Sequence, residues 1–505
     1  MSHSMGDEMK GNQVAVPTVP LWINNQPHTS NITFPVVNAE NDVVVHRVYS
    51  ATPELARKAV ESADRAFQAW RDTKPWHRRT LLLKAAEYLE ERRKEVAEMA
   101  RLEVPMAETM VNAMVDLSIE LLHELAGAIS QATSGVVPHT RGDDTFAVVL
   151  KEPYGVQLGI APWNSSLFLA MRSVLTPIAC GNTAVLKASE LSPRTHQFIG
   201  RMLADVGFPP GTLNVIQSRR EDALEILEAL VSQPAVKKVN FTGSTAVGQI
   251  VAERAARHCK PVLMELGGKA PQIVLHDADL DEAAQAAVTG AFFHHGQICM
   301  STETVLAHRS IVEALTEKMA CLADSWPMTS AVSEVGVAKA ESLIQDALRL
   351  GSVPATTYHA TSNSKTTHEA DEERGLRLRL NKSTLRPVIL TKLTPDMRIY
   401  SEESFGPSVS VLEFDTDQEA IRLVNESSYG LSSSVFTRNI PRALSMARKI
   451  EAGAVHINSM TVHDEPQLPH GGTKFSGWGR FGVPWGFDEF LQLKTITIKS
   501  KDLQP

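Results

Sequence analysis

Apolar residues recur every three or four positions near the start of the chain, and this spacing predicts two long helices. The first opens at Thr52-Pro53-Glu54, where the threonine can cap the helix, and the proline and the acid suit its first turn. Its apolar face carries Leu55, Ala59, Ala63, Ala66, Phe67 and Trp70. The second helix is expected over roughly 78–101, and its charged run 90–95 is typical of a solvent-facing surface.

From about residue 155 the pattern changes to short apolar runs that alternate with helical spacing. The runs that predict strands are 156–161, 183–186, 212–216, 236–241 and 261–266, and the helical patterns between them include 193–205 and 244–258. This alternation is typical of a parallel, doubly wound sheet with helices on both faces. A second αβ region is expected from about 268 to 460.

Four further segments complete the expected organisation. The first stretch of the chain reads as a leader that ends near residues 22–25, and 352–374 reads as a polar surface loop. The segment 136–153, interrupted by Arg141-Gly142-Asp143-Asp144, has the turn chemistry of a hairpin. The segment 491–500 alternates in the manner of a strand, so both are expected to form an appendage.

Composition and charge restrict the class of protein. A chain of 505 residues with 43% hydrophobic and 21% charged residues fits a soluble globular protein of two or three domains. A net charge of −8 argues against nucleic-acid binding. The four cysteines show no spacing typical of metal ligands, so no metal is expected and a reducing compartment is favoured. Without a presequence or a membrane-length apolar run, the cytoplasm is the expected location.

Three separate motifs supply the groups that oxidation of an aldehyde through a thioester requires. Cys299 lies in Gly296-Gln297-Ile298-Cys299-Met300, Glu265 begins Glu265-Leu266-Gly267-Gly268-Lys269, and Asn164 ends Ala161-Pro162-Trp163-Asn164. A thiolate can attack the carbonyl, an amide can hold the oxyanion, and a carboxylate can activate water. A lone cysteine is more often a small buried apolar residue, so the prediction depends on all three motifs together.

Two weaker patterns indicate a nucleotide. The segment 240–248 follows a predicted strand and opens a helix, as a phosphate-binding turn would. Its Gly243 and Gly248 imitate a P-loop, but Gln249 and Ile250 replace the required lysine and hydroxyl residue, and no GxGxxG motif is present. A plain helix-opening turn therefore remains open. Similarly, Leu186-Lys187-Ala188-Ser189-Glu190 could contact ribose hydroxyls or form an ordinary surface ion pair.

Taken together, the motifs resemble the aldehyde dehydrogenase superfamily, in family order over roughly residues 35–500. The matching segments are Pro162-Trp163-Asn164, Leu186-Lys187, Ser189-Glu190, Phe241-Thr242-Gly243-Ser244, Glu265-Leu266-Gly267-Gly268-Lys269, Gly296-Gln297-Ile298-Cys299 and Glu402-Glu403-Ser404-Phe405-Gly406-Pro407. The resemblance implies an α/β fold with a Rossmann-like cofactor domain, an α/β catalytic domain and a small β oligomerisation element. It assigns 1–135 and 154–266 to the NAD-binding domain, 267–460 to the catalytic domain, 136–153 and 482–505 to the oligomerisation element, and 461–481 to a segment that lines the active site.

The same resemblance assigns roles to individual residues. It implies Cys299 as the nucleophile, Glu265 as the general base and Asn164 as the oxyanion donor. Among the residues that it implies for cofactor binding, Lys187 and Glu190 would contact the adenosine ribose, and Trp163 is a further contact. Gly243, Ser244 and Gly248 would form the pyrophosphate turn. Glu403 and Phe405 would hold the nicotinamide ribose and ring. The cofactor is expected to be NAD rather than NADP, because the Glu190 carboxylate would repel a 2′-phosphate. A homodimer or homotetramer is expected.

The substrate pocket resembles one branch of this family. The segment 466–482 and Met300-Ser301-Thr302-Glu303 are similar to salicylaldehyde, benzaldehyde and vanillin dehydrogenases, which act on aromatic aldehydes. That branch serves aromatic catabolism, and some relatives serve fungal aromatic-polyketide pathways. Met300 and His470 are expected in the pocket, with His470 bonding a hydroxyl of the substrate, although a loop histidine without substrate contact is the alternative.

Three departures and three rival functions complete the sequence-based picture. Ala188, Ser165-Ser166 and Leu385-Arg386-Pro387 differ from the usual family residues, but none of these changes removes a catalytic group.

A catalytically inactive structural protein would not need all three motifs. A thiol hydrolase would need a histidine paired with Cys299, and His294 and His295 are explained equally well as helix-surface residues. A relative that passes its thioester to coenzyme A would not need Glu265.

Overall fold

The α/β architecture is confirmed by the computed structural model, which describes residues 17–356 and 378–499. In chain order the strands are β1 (Thr18–Val19), β2 (Leu21–Ile23), β3 (Gln26–His28), β4 (Thr33–Asn38), β5 (Val43–Tyr49), β6 (Thr145–Pro153), β7 (Val156–Ile160), β8 (Thr183–Lys187), β9 (Leu213–Ile216), β10 (Val236–Thr242), β11 (Val262–Glu265), β12 (Ala270–Val274), β13 (Thr302–His308), β14 (Val353–Pro354), β15 (Arg379–Asn381), β16 (Thr384–Leu385), β17 (Val388–Thr391), β18 (Ser408–Phe414), β19 (Ser432–Phe436), β20 (Ala454–Ile457), β21 (Gly477–Trp478) and β22 (Leu491–Lys499).

The helices lie mainly between strands. They are α1 (Pro53–Trp70), α2 (Pro75–Glu91), α3 (Arg93–Glu103), α4 (Glu108–Ala132), α5 (Ser166–Ala179), α6 (Pro193–Asp205), α7 (Ala223–Val231), α8 (Thr245–Arg257), α9 (Leu280–Phe292), α10 (Val312–Asp324), α11 (Glu334–Arg349), α12 (Arg398–Ser401), α13 (Asp417–Glu426), α14 (Ile440–Ala447) and α15 (Trp485–Glu489), with 3-10 turns at Phe293–Gly296 and Lys474–Ser476.

Two large sheets organise the described residues. The first has eight strands in the order β21-β11-β10-β7-β8-β9-β2-β3, and the run from β11 to β9 is parallel. The second has seven strands in the order β14-β17-β18-β13-β12-β19-β20, parallel except at β14. Separate apolar clusters cover the two faces of the first sheet, one built with α2, α4, α5 and α6 and the other with α1, α7 and α8. The first sheet is therefore buried on both faces, as parallel sheets require, and two further apolar clusters cover the strands of the second sheet.

Most predicted elements of the first sheet are found, each within two residues of its expected end. Thr52 caps α1 by accepting a hydrogen bond from the Leu55 amide, and α6 spans the predicted residues. The prediction worked because strands that are buried on both faces read as short uninterrupted apolar runs. The domain boundaries inferred from the resemblance stay a prediction.

The single helix expected over 78–101 is wrong. Two helices, α2 and α3, are separated at Arg92, whose φ of −108° and ψ of 15° lie outside the helical range. The break allows α3 to turn and contact both α4 and α6. The apolar spacing continues across Arg92, so the sequence pattern did not reveal the change of direction.

The leader and the hairpin are also corrected. Leu21–Ile23 is a strand of the first sheet, antiparallel to β9, with Leu21 and Ile23 fully buried. In the expected hairpin only Val136 bridges Val149, whereas β6 pairs along its whole length with β22. All nine residues of β22 pair in register with the nine residues of β6. The partner of β6 is therefore this distant strand and not the segment immediately before β6. Of the expected loop 352–374, Val353–Pro354 is a strand, and residues 357–374 lie outside the described residues.

No helix within 17–356 and 378–499 combines the length and the apolarity that crossing a bilayer requires.

Candidate active site

The three predicted catalytic residues lie on segments that end or begin strands of the two sheets. Asn164 follows β7, Glu265 is the last residue of β11, and Cys299 lies between the 3-10 turn Phe293–Gly296 and β13. Because β7 and β11 are parallel strands of one sheet, their carboxyl ends share an edge, where ligands bind in open α/β sheets. The site therefore lies at the edge that this topology predicts.

Cys299, Glu265 and His470 form one cluster. The Sγ atom, a carboxylate oxygen and a ring nitrogen all lie within 4.8 Å of one another. Glu265 is 1% exposed and its Oε1 has no hydrogen-bond partner, while Cys299 is half-buried. A thiol thus lies beside a carboxylate that keeps one oxygen free for a proton.

A buried arginine supports this carboxylate. Arg172 Nη2 donates to Glu265 Oε2 at 3.2 Å, and Nη1 donates to Asp464 Oδ2 at 3.0 Å. His470 closes the network, with Nε2 3.8 Å from Glu265 Oε1 and Nδ1 3.5 Å from Asp464 Oδ1. The guanidinium of Arg172 also lies 4.5 Å from the centre of the Phe481 ring. Consequently, Arg172 holds Oε2 of Glu265 by a hydrogen bond, whereas Oε1 has no hydrogen-bond partner.

The charges of the cluster set the protonation states of its two reactive groups. Burial favours the neutral form of Glu265, but the neighbouring His470 and Arg172 outweigh it and lower the pKa of that carboxyl. Burial raises the pKa of the Cys299 thiol well above its usual range, and the adjacent Glu265 raises it further. At neutral pH the pair is therefore a thiol beside a carboxylate. Glu265 is placed to take the thiol proton, although both pKa shifts make that transfer uphill.

Asn164 reaches the segment that carries the nucleophile. Its Nδ2 donates to the carbonyl of Gln297 at 3.0 Å, and its Oδ1 is buried without a partner. The side-chain amide has two N–H groups, so one bond to Gln297 leaves a second donor. Asn164 is thus held next to the loop that carries Cys299, and its second N–H group remains available as a hydrogen-bond donor.

His294 and His295 are not on a helix surface, as the sequence had suggested. Both are 3% exposed, with φ angles of 52° and 60° in the turn before Cys299, and the next residue, Gly296, has a φ of 72°. A side chain at Gly296 would collide with the Gly406 carbonyl, so only glycine fits there. Burial lowers the pKa of His294 to about 4 and that of His295 to about 3. These histidines shape the loop, and the one that meets Cys299 is His470.

The pocket segment 461–481 is anchored at both ends. Thr461 Oγ1 donates to the Met300 carbonyl at 2.7 Å, and His470 exchanges two backbone hydrogen bonds with Phe481. Ser476 Oγ donates to the Gly267 carbonyl at 2.7 Å, and β21 pairs with the end of β11 that carries Glu265. Met300 packs with Ile298, Leu431 and Val462 beside Cys299. The segment is therefore tied to both the nucleophile loop and the strand of Glu265.

The start of α8 fits a phosphate and a flat apolar group. Ser244 caps the helix by accepting from the Val247 amide, and a side chain at Gly248 would collide with Leu266, so the helix lies close to the strand. Val247 and Ile250 are 47% and 38% exposed on the same helix. A helix N-terminus next to exposed apolar side chains offers what a dinucleotide needs for its phosphates and its adenine. Gly243 lies in the turn between β10 and Ser244.

Lys187 and Glu190 lie together at the carboxyl end of β8. Lys187 Nζ is 3.9 Å from Glu190 Oε2, and burial lowers the pKa of Lys187. The two side chains form a loose pair and leave most hydrogen-bonding positions open, as ribose hydroxyls would require.

Glu403 lies against the Gly267-Gly268 turn that follows the base. Its Oε1 accepts from the Gly268 amide at 2.8 Å, and burial, then repulsion from Glu303, raises the pKa of Glu403 to about 7. Phe405 has a φ of 52°, and its ring meets that of Trp163 edge-on at 6.0 Å. The predicted nicotinamide contacts are thus brought together beside Glu265.

Sequence reasoning missed the residues that hold these groups in place. Glu303 accepts from the amides of Ser404 and Phe405, and it pairs with Lys269 at 2.7 Å. Arg172 and Asp464 were also missed, although Arg172 is the one charged residue in α5, where all the other residues are apolar or small and polar. A single charge within a buried helix was the available signal, because such charges are almost always paired.

Comparisons with known proteins point to one family. The model of the Aldehyde dehydrogenase family matches residues 25–496. The chain is 42% identical to vanillin dehydrogenase of Pseudomonas fluorescens, over 95% of this chain and 98% of that protein, and 37% identical to salicylaldehyde dehydrogenase of Pseudomonas putida, over 96% and 99%.

Solved structures are similar over comparable lengths. The salicylaldehyde dehydrogenase of Pseudomonas putida G7, complexed with salicylaldehyde, gives a TM-score of 0.89 at 36% identity and covers 96% of this chain and 99% of its own. The betaine aldehyde dehydrogenase of Staphylococcus aureus, in complex with NAD⁺, gives a TM-score of 0.86 at 29% identity, with 95% of each chain covered.

Proposed function

The chain belongs to the aldehyde dehydrogenase family and is an aldehyde-oxidising enzyme; we propose that its substrates are aromatic aldehydes and that Cys299, Glu265 and Asn164 carry the reaction. The observation that supports the residue roles most strongly is the thiol of Cys299 beside the buried, ionised carboxylate of Glu265. The aromatic substrate is supported by the high identity to vanillin and salicylaldehyde dehydrogenases.

The reaction begins with a proton transfer within the cluster. Glu265 takes the proton of Cys299, and the thiolate adds to the aldehyde carbon, so that a C–S bond forms and the carbonyl oxygen becomes an oxyanion. The amide of Asn164 and the backbone N–H of Cys299 donate hydrogen bonds to that oxyanion. Loss of one such donor commonly removes about 2.7–4 kcal/mol of transition-state stabilisation.

The second half-reaction releases the acid. The family is NAD(P)-dependent, and the bound nicotinamide supplies the hydride acceptor. Glu403 and Phe405 would orient the cofactor. The oxyanion adduct on Cys299 becomes a thioester when its carbon gives up the hydride and the C=O bond re-forms. Glu265 first releases the Cys299 proton to solvent and then takes a proton from water, whose oxygen attacks the thioester carbon; the C–S bond breaks with its electron pair on sulfur, and the acid leaves.

An aldehyde screen tests this proposal. Purified protein is mixed with NAD⁺ or NADP⁺ and a panel of aliphatic and aromatic aldehydes, and NADH absorbance is followed. Preference for benzaldehyde derivatives supports the proposal, whereas preference for aliphatic aldehydes contradicts the substrate class. Hydrolysis of a thioester without any cofactor, in the absence of aldehyde oxidation, would favour a thiol hydrolase, and the absence of any turnover would favour a structural protein.

The cofactor preference gives a prediction for Glu190. We expect NAD⁺ to be used much better than NADP⁺, and Glu190→Gln to narrow the difference, because it removes a carboxylate that would face the 2′-phosphate. The ratio of kcat/KM values for the two cofactors is the measurement. Glu221→Gln, at an exposed glutamate 3.3 Å from Arg219, is the control and should leave the ratio unchanged. Equal use of both cofactors by the unmodified protein would refute this role.

A second prediction concerns His470 and hydroxylated substrates. His470→Phe should lower kcat/KM for 2-hydroxybenzaldehyde about fivefold more than for benzaldehyde, because one hydrogen bond to the ring hydroxyl is lost. His308→Gln is the control, since His308 is the last residue of β13, outside the segment 461–481, and its Nδ1 lies 2.9 Å from Ser310 Oγ. An equal fall for both substrates would show that His470 acts through Glu265 and Asp464 alone.

We also infer a cytosolic homo-oligomer. The chain has four free cysteines, as a reducing compartment favours. β6 and β22 form a two-stranded sheet that exposes Phe146, Leu493, Ile496 and Ile498. A sheet of only two strands is marginally stable, and strands with exposed apolar side chains tend to pair with a second copy of the same chain. A sedimentation mass of a dimer or tetramer is expected, and a monomer would contradict the inference.

A further inference from the structure

The cluster around Cys299 contains three different metal-ligating atoms. Sulfur, oxygen and nitrogen come from Cys299, Glu265 and His470, and these atoms lie within 4.8 Å of one another. Thiolate, carboxylate and imidazole are the three ligand types that zinc uses in proteins. The spacing of cysteines in the sequence did not predict such a site, because the three ligands come from distant segments of the chain.

Two independent features point to a cation at this position. Glu265 is 1% exposed, and its Oε1 has no hydrogen-bond partner although it faces His470 Nε2 at 3.8 Å. His470 Nδ1 faces Asp464 Oδ1 at 3.5 Å. A histidine that binds a metal through one nitrogen usually gives the other N–H to a carboxylate, which fixes the ring. Asp464 occupies that place, and Arg172 holds it at 3.0 Å.

We propose that Cys299, Glu265 and His470 form a binding site for one divalent cation of the zinc class, which reversibly blocks the enzyme. The cation replaces the thiol proton of Cys299, which passes to solvent, and the thiolate and carboxylate together balance its two charges. With bonds of about 2.0–2.3 Å, tetrahedral ligands lie roughly 3.3–3.8 Å apart. The Glu265 and His470 atoms, 3.8 Å apart, already meet this spacing. The pairs with Cys299 lie within 4.8 Å and need to approach by at most about 1.5 Å, and the fourth position remains open to water.

The blocked state follows from the chemistry of the ligands. A thiolate bound to the cation has given electron density to it and is a much weaker nucleophile, and a carboxylate bound to it is a much weaker base. The cation and the aldehyde would therefore compete for the same cluster, and a chelator would restore activity.

Cobalt(II) provides a direct test, because a cobalt–thiolate bond gives an intense charge-transfer absorption. The full-length protein is titrated with Co²⁺, and Zn²⁺ is then added to displace it. We expect one Co²⁺ per chain with a thiolate band, no such band in Cys299→Ser, and at least about tenfold weaker binding in His470→Phe and His470→Gln. Cys259→Ser, Cys321→Ser and His463→Gln are matched controls, and each should bind Co²⁺ as the unmodified protein does.

The outcomes separate this site from a lone reactive thiol. Absence of a thiolate band in the unmodified protein overturns the proposal, as does unchanged affinity in both His470 variants, whose folding is checked by thermal unfolding. A second readout is the alkylation of Cys299 by iodoacetamide, which Zn²⁺ should slow in the unmodified protein and much less in the His470 variants. Both readouts follow the metal and the thiol without aldehyde turnover, so failure here leaves the proposed function untouched.

Discussion

Cys299→Ala should lower the kcat of aldehyde oxidation at least about 10⁴-fold, because the covalent step is removed. Binding of NAD⁺ should remain nearly unchanged, since the cofactor contacts proposed for Ser244, Lys187, Glu190 and Glu403 do not involve the thiol. Steady-state NADH production and NAD⁺ titration by protein fluorescence measure the two quantities separately.

The other cysteines supply the controls for this variant. Cys259 and Cys321 are exposed, and Cys180 is buried against the Phe487 carbonyl, outside the cluster. Alanine at Cys259 or Cys321 should leave oxidation intact. Activity of Cys299→Ala within tenfold of the unmodified enzyme would remove Cys299 from the mechanism.

Glu265→Gln should permit one hydride transfer per site, at a lower rate because the Cys299 proton must then pass to solvent, and should stall at the thioester, because an amide does not accept a proton from water. Rapid mixing with NAD⁺ and aldehyde should show a burst of NADH close to the enzyme concentration, followed by slow turnover. The slow phase should accelerate about tenfold per pH unit in alkaline solution, where hydroxide replaces the water and its base. The amide oxygen of the variant can still accept from Arg172, so the site should keep its shape.

The comparison of two variants makes the burst diagnostic. Cys299→Ala should give no burst under the same conditions, because no thioester forms. A linear progress curve for Glu265→Gln, at the rate of the unmodified enzyme, would show that another group activates the water.

The sequence predicted the parallel sheet well and its surroundings poorly, for a physical reason. Strands such as β7, β8 and β10 are buried on both faces, so their apolar runs are visible without knowledge of their neighbours. The pairing of β6 with β22 and the turn at Arg92 depend on contacts between distant segments. Local spacing carries little information on such contacts.

The residues of the candidate site divide in the same way, into those that a local motif reveals and those that only contacts between distant segments reveal. The motifs around Cys299, Glu265 and Asn164 each lie within a few residues, and short segments can be recognised by their chemistry. The partners of Glu265 are different, because Arg172 lies in an apolar helix and Asp464 and His470 in a distant segment. Only the fold brings their charges to one carboxylate, so no local pattern could show that Glu265 is held on one oxygen and free on the other.

The double anchoring of the pocket segment bears on how this enzyme could be redesigned. Residues 462–469 lie between the hydrogen bond of Thr461 to Met300 and the backbone bridge of His470 to Phe481. Both anchors use atoms outside that stretch, so they would stay in place if the stretch were exchanged as a cassette. A cassette from another member of the family, provided that it keeps an acid at Asp464, should transplant a new choice of aldehyde while the thiol and the base stay where they are.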